Sequence, residues 1–335
     1  MHVIAPEETD VRTIPSHKLV DTTIASDWRY RANKWRRRCR IVAREFKSDN
    51  TDENNFAPIT TFGAVRILLV LSMVFNLMLT GIDEKDAFLC VEQQEEMFVV
   101  IPQWIRDLSP EDRFTVWRLK RCLLGQRNAA LRWFEYFSNL CQSAGMESYK
   151  GCPTIMKLVN SERRVYLSVH VDDVLLVGNE KDLEWFKKEV ASGLTIKVDG
   201  PHAQVSGDTM FYLKKRITLL PEGILVQPNG TYIPKLINML KISGRRKKGL
   251  PHHAVLETYN SEFPEQDVLT GEEASLFRSA LGLILYVSHD RPDISFATDA
   301  GYMDVLPLHE SDGSSQAFGP VLVRNRACWC NVEKM

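Results

Sequence analysis

Two adjacent aspartates, Asp172 and Asp173, interrupt an otherwise apolar run, VYLSVHVDDVLLVG, that extends from Val165 to Gly178. Like charges this close repel each other, so one carboxyl is expected to take up a proton unless a cation neutralises the pair. Carboxylate oxygens are the hard ligands that Mg²⁺ prefers. The pair therefore indicates either a metal site or an exposed Asp-Asp turn, and these residues alone leave both interpretations open.

A third carboxylate, Asp83, ends another apolar run, LMLTGIDEKDAFL. Three acids at strand ends have the composition of a site for two Mg²⁺ ions, which hold the attacking and leaving oxygens of a phosphoryl transfer. Such a reaction depends almost entirely on positioning and on neutralisation of charge. Glu84 and Asp86 are also acidic, but neighbours along a strand point to opposite faces. We therefore interpret those two as solvated or ion-paired.

The elements that must position these acids alternate between strands and helices. The run 165–178 is typical of a hairpin with the two aspartates at its tip, and residues 116–145 predict a strand, a loop at Gly125 and a helix that ends at Gly145. A further helix is predicted from about Gly63, and a hairpin around Pro221. Strands that alternate with helices, with chemistry at strand ends, indicate an α/β or α+β fold.

The composition is that of an ordinary globular protein, with 335 residues, 44% hydrophobic and 25% charged, and a formal net charge of −1. No global field marks a nucleic-acid binder, but two local basic clusters have the charge to follow a phosphate backbone. One lies at Arg245–Lys248. The other is interrupted by a single acid, Glu45, and comprises Arg29, Arg31, Lys34, Arg36, Arg37, Arg38, Arg40, Arg44 and Lys47.

Seven scattered cysteines contain no C-x-x-C pair, which indicates reduced thiols in an intracellular protein. We interpret Cys328 and Cys330 as incidental thiols, because no partner lies at a zinc-like spacing. The N-terminus has no signal-peptide pattern, and the longest apolar run, 67–79, is shorter than the about 20 residues that a membrane span needs. We expect a cytoplasmic protein without a membrane partner.

Seven segments along the chain resemble, in the same order, the reverse transcriptase of copia-type LTR retrotransposons. They are RCRIVAREF (38–46), FAPITTFGAVRILL (56–69), DEKDAFLCV (83–91), EEMFVVIP (95–102), VWRLKRCLLGQRNAALRW (116–133), HVDDVLLVG (170–178) and FRSALGLILYVSHDRPDISFA (277–297). One segment alone would be weak, whereas seven collinear segments across residues 34–298 are specific. The chain is therefore identified from its sequence as a member of this family.

The resemblance implies an α+β right-hand polymerase fold, in which a palm with a small antiparallel sheet backed by helices carries fingers and a thumb-like region. We expect an N-terminal tail or linker over 1–27, fingers and palm over 28–205, a thumb- or connection-like region over 206–300, and a divergent tail over 301–335. No aspartic-protease triplet, integrase zinc motif or RNase H domain is recognised. The chain is expected to be part of a larger Pol polyprotein, whose integrase and RNase H segments would be its partners and whose element integrates as DNA and has access to the nucleus.

The resemblance also implies the reaction and the residues that perform it. The chain would be an RNA-directed DNA polymerase that joins dNTPs to a primer 3′-hydroxyl on an RNA or DNA template. Its catalytic residues and the ligands of two Mg²⁺ ions, or of Mn²⁺, would be Asp83, Asp172 and Asp173. Predicted nucleotide-binding residues are Arg38 and Arg40 in the fingers, Phe88 under the sugar, and Gly125 beside the nascent base pair. Predicted primer or template contacts are His170, Phe211 and Tyr212.

Alternatives remain at several of these positions. Without the resemblance, Phe88 would be a core aromatic, the arginines a solvated basic face, and Gly125 a turn before a helix. The chain also departs from the family pattern: His170 stands in place of tyrosine, Lys214 in place of glycine, and Asn128, Ala130 and Leu131 in place of glutamine, proline and arginine. A second hypothesis is therefore a truncated, inactive relic that at most binds nucleic acid. A third, a structural protein that reuses the palm fold, has no feature in its favour.

Overall fold

The computed structural model describes residues 4–7, 11–31, 33–45, 55–108, 116–241, 268–269, 271–291, 294–295 and 321–322. The basic cluster Arg245–Lys248, Cys328 and Cys330 lie outside the described residues, as does most of the predicted tail from residue 301. Two compact units are present. The first comprises residues 1–213 and 219–224, and the second residues 214–218 and 225–335.

Strands and helices alternate along much of the described chain, and the mixed α+β class predicted from the sequence is confirmed. The strands are β1 Ile4–Glu7, β2 Leu19–Val20, β3 Thr22–Arg31, β4 Lys34–Ala43, β5 Met78–Glu84, β6 Phe98–Val100, β7 Val116–Leu119, β8 Glu147–Tyr149, β9 Cys152–Val159, β10 Arg164–His170, β11 Asp173–Gly178, β12 Ile196–His202, β13 Thr209–Tyr212, β14 Lys215–Leu220, β15 Gly223–Pro228, β16 Val268–Leu269 and β17 Val321–Leu322. The helices are α1 Phe62–Val74, α2 Gln103–Leu108, α3 Ala129–Ser143, α4 Glu180–Glu189, α5 Tyr232–Met239 and α6 Gly271–Ser288.

A six-stranded antiparallel sheet of order β12-β5-β11-β10-β9-β8 forms the centre of the first unit. Alternate residues of β10 and β11, such as Leu167 and Leu176, join the apolar core formed with α3 and α4. Residues between them, such as Ser168 and Leu175, point to the opposite face and are also fully buried. Burial on both faces explains why these strands are almost continuously apolar in sequence.

Side-chain caps begin two of the helices that cover this sheet. The Thr61 hydroxyl accepts a hydrogen bond from the Ala64 N–H at 3.3 Å at the start of α1, and the Asn179 side chain accepts one from the Asp182 N–H at 2.9 Å at the start of α4. These bonds satisfy amides that have no partner within the helix. The helix predicted from about Gly63 is thereby confirmed, with its start at Phe62.

The other strands of the first unit form a second sheet and a long hairpin. The second sheet has the order β1-β7-β6-β2, and its small core includes Val20, Ala43 and Val99. β3 and β4 pair over ten residues each, from Thr22 opposite Ala43 to Arg31 opposite Lys34. Within the range 1–27, which is predicted to be a tail or linker, residues 4–7, 19–20 and 22–27 supply β1, β2 and the first part of β3.

Side chains of the second unit converge on a buried ion pair. The Lys215 and Asp290 side chains are each 4% exposed, and the Lys215 ammonium lies 4.4 Å from the centroid of the Tyr286 ring. Tyr286 on α6 contacts Tyr232 on α5 edge to face at 5.1 Å. Removing one member of such a pair leaves an uncompensated buried charge, so the pair joins the start of β14 to the end of α6.

Two short groups of strands complete the described chain: β13-β14-β15 and β16-β17. The hairpin predicted around Pro221 is confirmed, because β14 ends at Leu220 and β15 begins at Gly223. None of the described helices is long and apolar enough to cross a membrane.

The turn between β13 and β14 generates a stability prediction. Leu213 and Lys214 form this turn with φ of 49° and 62°, a left-handed conformation that costs a non-glycine residue roughly 1–2 kcal/mol. We expect Lys214→Gly to raise the free energy of unfolding by about 1 kcal/mol in chemical denaturation, since glycine adopts this conformation without steric cost. Lys235→Gly, at an exposed position within α5, should lower it by about 1 kcal/mol. If both variants have a lower free energy of unfolding than the wild type, the turn at Leu213 and Lys214 is not strained.

Candidate active site

Three carboxylates lie at one end of the interior strands of the six-stranded sheet, where β5 ends and β11 begins. We call this end of the sheet the acidic edge. Asp83 is the penultimate residue of β5 and Asp173 the first of β11, and the antiparallel register sets them directly opposite each other. Val171 and Asp172 form the turn that joins β10 to β11. The hairpin predicted from the sequence is confirmed, but Asp173 belongs to the strand and not to the turn. Side chains directly opposite on an antiparallel pair are near neighbours, so the register itself brings the acids together.

The electrostatics of this edge are those of crowded negative charge. Burial, together with the neighbouring carboxylates of Asp172 and Asp83, raises the pKa of Asp173 to about 6. Asp83 and Asp172 are exposed. Their oxygens are the hard donors that Mg²⁺ binds, so the donor set fits the predicted cation. As they stand, however, no three His, Cys, Asp or Glu side chains of the described residues are grouped closely enough to hold a metal ion. Their role as metal ligands stays a prediction.

Two hydrogen bonds hold the backbone of the turn between the strands. Trp133 of α3 is fully buried, and its indole N–H donates to the Val171 carbonyl at 2.6 Å. The Glu84 N–H donates to the Asp172 carbonyl at 2.9 Å. Val171 has φ of 55°, which a branched residue rarely adopts, so these bonds are needed to hold it. Sequence reasoning missed this role of Trp133, although the residue lies within a recognised segment.

A buried hydroxyl network supports β10 from the opposite face. The Thr60 hydroxyl donates to the Val169 carbonyl at 2.7 Å, and the Ser168 hydroxyl donates to Thr60 Oγ1 at 3.1 Å. The Tyr212 hydroxyl donates to the Ser168 carbonyl at 3.2 Å. Tyr212 is only 3% exposed and burial raises the pKa of its phenol, so this side chain supports the strand rather than offering a surface to a primer. Its neighbour Phe211 is exposed, as a primer contact requires.

His170 ends β10 directly opposite Asp173. Burial lowers the pKa of its imidazole, against the opposing effects of a backbone hydrogen bond with Thr60 and of the Asp172 charge. Its Nδ1 atom is buried and has no hydrogen-bond partner within the described part of the chain. A neutral ring next to the acids therefore takes the position at which the family pattern has tyrosine, and its contact with a primer stays a prediction.

A cavity of about 450 Å³ lies beside the acidic edge. β4 contributes Arg40 to its lining, the segment after β5 contributes Asp86 and Phe88, and the turn contributes Asp172. The cavity thus brings together an arginine, an aromatic ring and a carboxylate, three of the predicted site residues. Arg38 lies on the same face of β4 as Arg40 but does not line the cavity.

Gly125 is required by a close approach of two backbone segments. Its φ is +94°, and a Cβ atom there would lie 2.2 Å from the Ala43 carbonyl oxygen of β4. The Ala43 N–H donates to the Leu124 carbonyl at 2.8 Å, which binds the same segments together. Leu123 and Leu124 line the cavity and Gly125 does not. Gly125 therefore acts indirectly, by allowing the segment that carries the two leucines to lie against β4. Its place beside a nascent base pair stays a prediction.

The β3–β4 hairpin carries different chemistry on its two faces. Cations dominate one face, which includes Arg29, Arg36, Arg38 and Arg40. The other face carries Trp28, Tyr30 and Trp35, each more than half exposed, with Arg37 opposite Trp28. Rings of Tyr30 and Trp35 lie 5.4 Å apart. The cations are predicted from the sequence and the aromatic face is not, although the alternation of Trp28 with Tyr30 indicates a shared face.

A prediction follows from the bond between Trp133 and the turn. Trp133→Phe keeps a ring but leaves the Val171 carbonyl without its donor, so we expect the free energy of unfolding to fall by about 1–3 kcal/mol. Calorimetric titration should also show weaker Mn²⁺ binding, because Asp172 follows Val171. Trp185→Phe is the matched control, since Trp185 on α4 lies under Arg163 and has no bond to the turn. Equal losses of Mn²⁺ affinity in both variants would contradict the assigned role.

The chain shares sequence with one known family and with proteins of two plants. The family described as "Reverse transcriptase (RNA-dependent DNA polymerase)" matches residues 8–251. The chain is 24% identical over 269 residues to the "Retrovirus-related Pol polyprotein from transposon TNT 1-94" of Nicotiana tabacum, a match that covers 78% of this chain and 20% of the relative. It is 19% identical over 247 residues to that of transposon RE2 of Arabidopsis thaliana, covering 73% of this chain and 16% of the relative.

The chain therefore spans about a fifth or less of the length of these relatives. The family match covers well over half of the chain and includes every predicted site residue. The resemblance inferred from the seven segments is thereby confirmed, and the chain belongs to the reverse transcriptase family.

Proposed function

We propose that this chain is an RNA-directed DNA polymerase domain that joins a dNTP to a primer 3′-hydroxyl. The observation that carries the proposal is that Asp83 lies opposite Asp173 at the same edge of the sheet as Asp172, which lines the 450 Å³ cavity. Membership of the reverse transcriptase family supports the same reaction. The cavity would hold the nucleotide and the acidic edge its reacting phosphate.

Each side chain has a distinct part in this mechanism. Asp83, Asp172 and Asp173 would hold two Mg²⁺ ions, or Mn²⁺, and such ions neutralise the charge on the attacking and leaving oxygens. Arg40 would bind the triphosphate, because a guanidinium pairs with phosphate oxygens through two parallel hydrogen bonds. Phe88 would lie under the sugar and clash with a 2′-hydroxyl, so that deoxynucleotides are selected. Each of these roles is a positioning or charge effect, which is what phosphoryl transfer requires.

We assign the fold to the right-hand polymerases on the same basis. The six-stranded sheet with α3 and α4 would be the palm, and the β3–β4 hairpin with the four-stranded sheet the fingers. β1, β2 and the first part of β3 lie before the predicted range 28–205. Residues 206–300 would form the thumb- or connection-like region. A primed RNA or DNA template would be the nucleic-acid partner, and the integrase and RNase H segments of a Pol polyprotein the protein partners.

One observation favours a second function, that of an inactive domain that only binds nucleic acid. The β3–β4 hairpin joins a basic face to an exposed aromatic face, and such a surface binds single strands by phosphate contact and base stacking without any catalysis. Departures from the family pattern at His170 and over residues 128–131 also favour this function.

Primer extension separates the two functions. We expect extension of a DNA primer on an RNA template with Mg²⁺ or Mn²⁺, and a loss of about 10³-fold or more in Asp172→Asn and Asp173→Asn, because each variant removes a ligand worth several kcal/mol. Asp107→Asn, at an exposed position on α2, is the control and should extend normally. If Asp83→Asn extends normally, the metal assignment is wrong. No extension by the wild type, with salt-sensitive duplex binding retained, would favour the binding function.

Binding of a single-stranded oligonucleotide tests the hairpin independently of catalysis. We expect Trp28→Ala and Trp35→Ala each to weaken oligo(dT) binding by about 1–3 kcal/mol in a fluorescence titration, through lost stacking. Arg36→Gln should instead reduce the dependence of affinity on salt concentration. Tyr149→Ala removes another exposed aromatic next to a lysine, Lys157, and should change neither quantity. Equal effects of the tyrosine and tryptophan variants would show that the aromatic face has no special role.

A further inference from the structure

Glu84 is a buried carboxylate at the edge of the candidate active site. It is the last residue of β5, next to Asp83, and only 3% of it is exposed. Its burial contradicts the interpretation of Glu84 as a solvated residue. A buried carboxylate costs free energy unless its hydrogen bonds repay that cost, so the bonds it makes require an explanation.

One carboxylate oxygen of Glu84 joins two other segments of the chain. Oε1 accepts from the Thr195 N–H at 3.1 Å, at the start of β12, and from the Cys90 thiol at 3.6 Å. The Lys85 N–H donates to the Thr195 carbonyl at 3.0 Å, which reinforces the first link. The second oxygen, Oε2, is buried and has no hydrogen-bond partner within the described residues. Glu84 therefore acts through Oε1, as an acceptor shared by β12 and by the segment that ends at Cys90.

The segment that ends at Cys90 carries the ring proposed to select the sugar. Ala87–Cys90 is a single 3₁₀ turn that includes Phe88, and it begins after Asp86, whose φ is +63°. Within this turn the Leu89 N–H donates to the Asp86 carbonyl at 2.8 Å. From the other side, Arg121 donates to the Cys90 carbonyl at 2.9 Å. Glu84 and Arg121 together thus hold the end of the turn at Cys90. Because the turn spans only Ala87–Cys90, a shift of Cys90 is expected to displace Phe88 as well.

We propose that Glu84 is a positioning residue that sets the place of Phe88 relative to Asp83 and thereby determines how strongly the site rejects ribonucleotides. The Glu84 N–H donates to the Asp172 carbonyl, and the Glu84 side chain accepts from the Cys90 thiol. One residue therefore restrains both the turn that carries Asp172 and the 3₁₀ turn that carries Phe88. This inference rests on the proposed polymerase function. It goes beyond that function, because Glu84 contacts neither a metal nor a nucleotide in the proposed mechanism.

Glu84→Val and Glu84→Gln together test whether the hydrogen bonds accepted by the Glu84 side chain hold Phe88 in place. Valine removes the acceptor, whereas glutamine keeps an acceptor oxygen of the same reach for Thr195 and Cys90. We expect Glu84→Val to lower the ratio of kcat/KM for dNTP over rNTP by about tenfold, since a small displacement of a clashing group forfeits most of its selectivity. Glu84→Gln should retain the ratio. In a Phe88→Ala background Glu84→Val should change the ratio no further, because both substitutions act through one ring.

Hydrogen exchange supplies a readout that does not need activity. In Glu84→Val the amides of Leu89 and Val91, both bonded within the turn, should exchange about five- to tenfold faster, and in Glu84→Gln they should not. Cys90→Ala removes only the thiol donor and should reproduce part of the effect if Glu84→Val folds poorly. Cys122→Ala is the matched control, as a buried thiol of the same core without a bond to Glu84.

The outcomes are distinct for the two proposals. Faster exchange together with a lower ratio in Glu84→Val, with glutamine and Cys122→Ala unaffected, supports the inference. Unchanged exchange in Glu84→Val overturns it, and so does faster exchange with an unchanged ratio. A wild-type protein that extends no primer refutes the polymerase function and the claim about selectivity, while the exchange measurement still decides whether Glu84 holds the turn.

Discussion

The antiparallel register between β5 and β11 holds two carboxylates opposite each other, and the surrounding structure serves to maintain that unfavourable arrangement. Asp83 and Asp173 repel each other. Neither side chain can rotate to the other face of the sheet to relieve this repulsion, because the register keeps the two as neighbours. Burial of Asp173 increases the cost further. An edge of this kind persists only if the sheet and its packing are stable enough to impose it, and residues 165–169 of β10 and 174–178 of β11 are buried on both faces.

The turn next to these acids is restrained from several directions. Trp133 and Glu84 bond to its carbonyls, and the hydroxyls of Thr60, Ser168 and Tyr212 support the strand that leads into it. Side chains that perform chemistry need such support, because errors of about 1 Å cost a large part of the rate. These buried groups, and not the acids themselves, therefore fix the geometry of the site.

Local patterns predicted those elements whose structure depends on nearby residues. The helix α1 and the hairpin that carries Asp172 follow from periodicity and turn position, and both are confirmed. Strands that depend on distant partners were missed: β1 pairs with β7, more than 100 residues away, so residues 4–27 had no local signal. The burial of Tyr212 under Ser168 likewise depends on a contact across 44 residues. The three acids were noticed because carboxylates at the ends of apolar runs interrupt the pattern, and their catalytic role stays a prediction.

The contact between Gly125 and Ala43 has a consequence for how the cavity can change. The separation of the two backbones there depends on Gly125, because a Cβ atom at this position would also lie 2.7 Å from the Val42 Cγ1 atom. Substitutions along the neighbouring segment, including those at residues 128–131, therefore cannot widen the cavity at this side unless the hydrogen bond between Ala43 and Leu124 is also lost. The spacing of these two segments is thus a property of the backbone, and substitutions of side chains that line the cavity, such as Leu123 and Leu124, change its lining without changing that spacing.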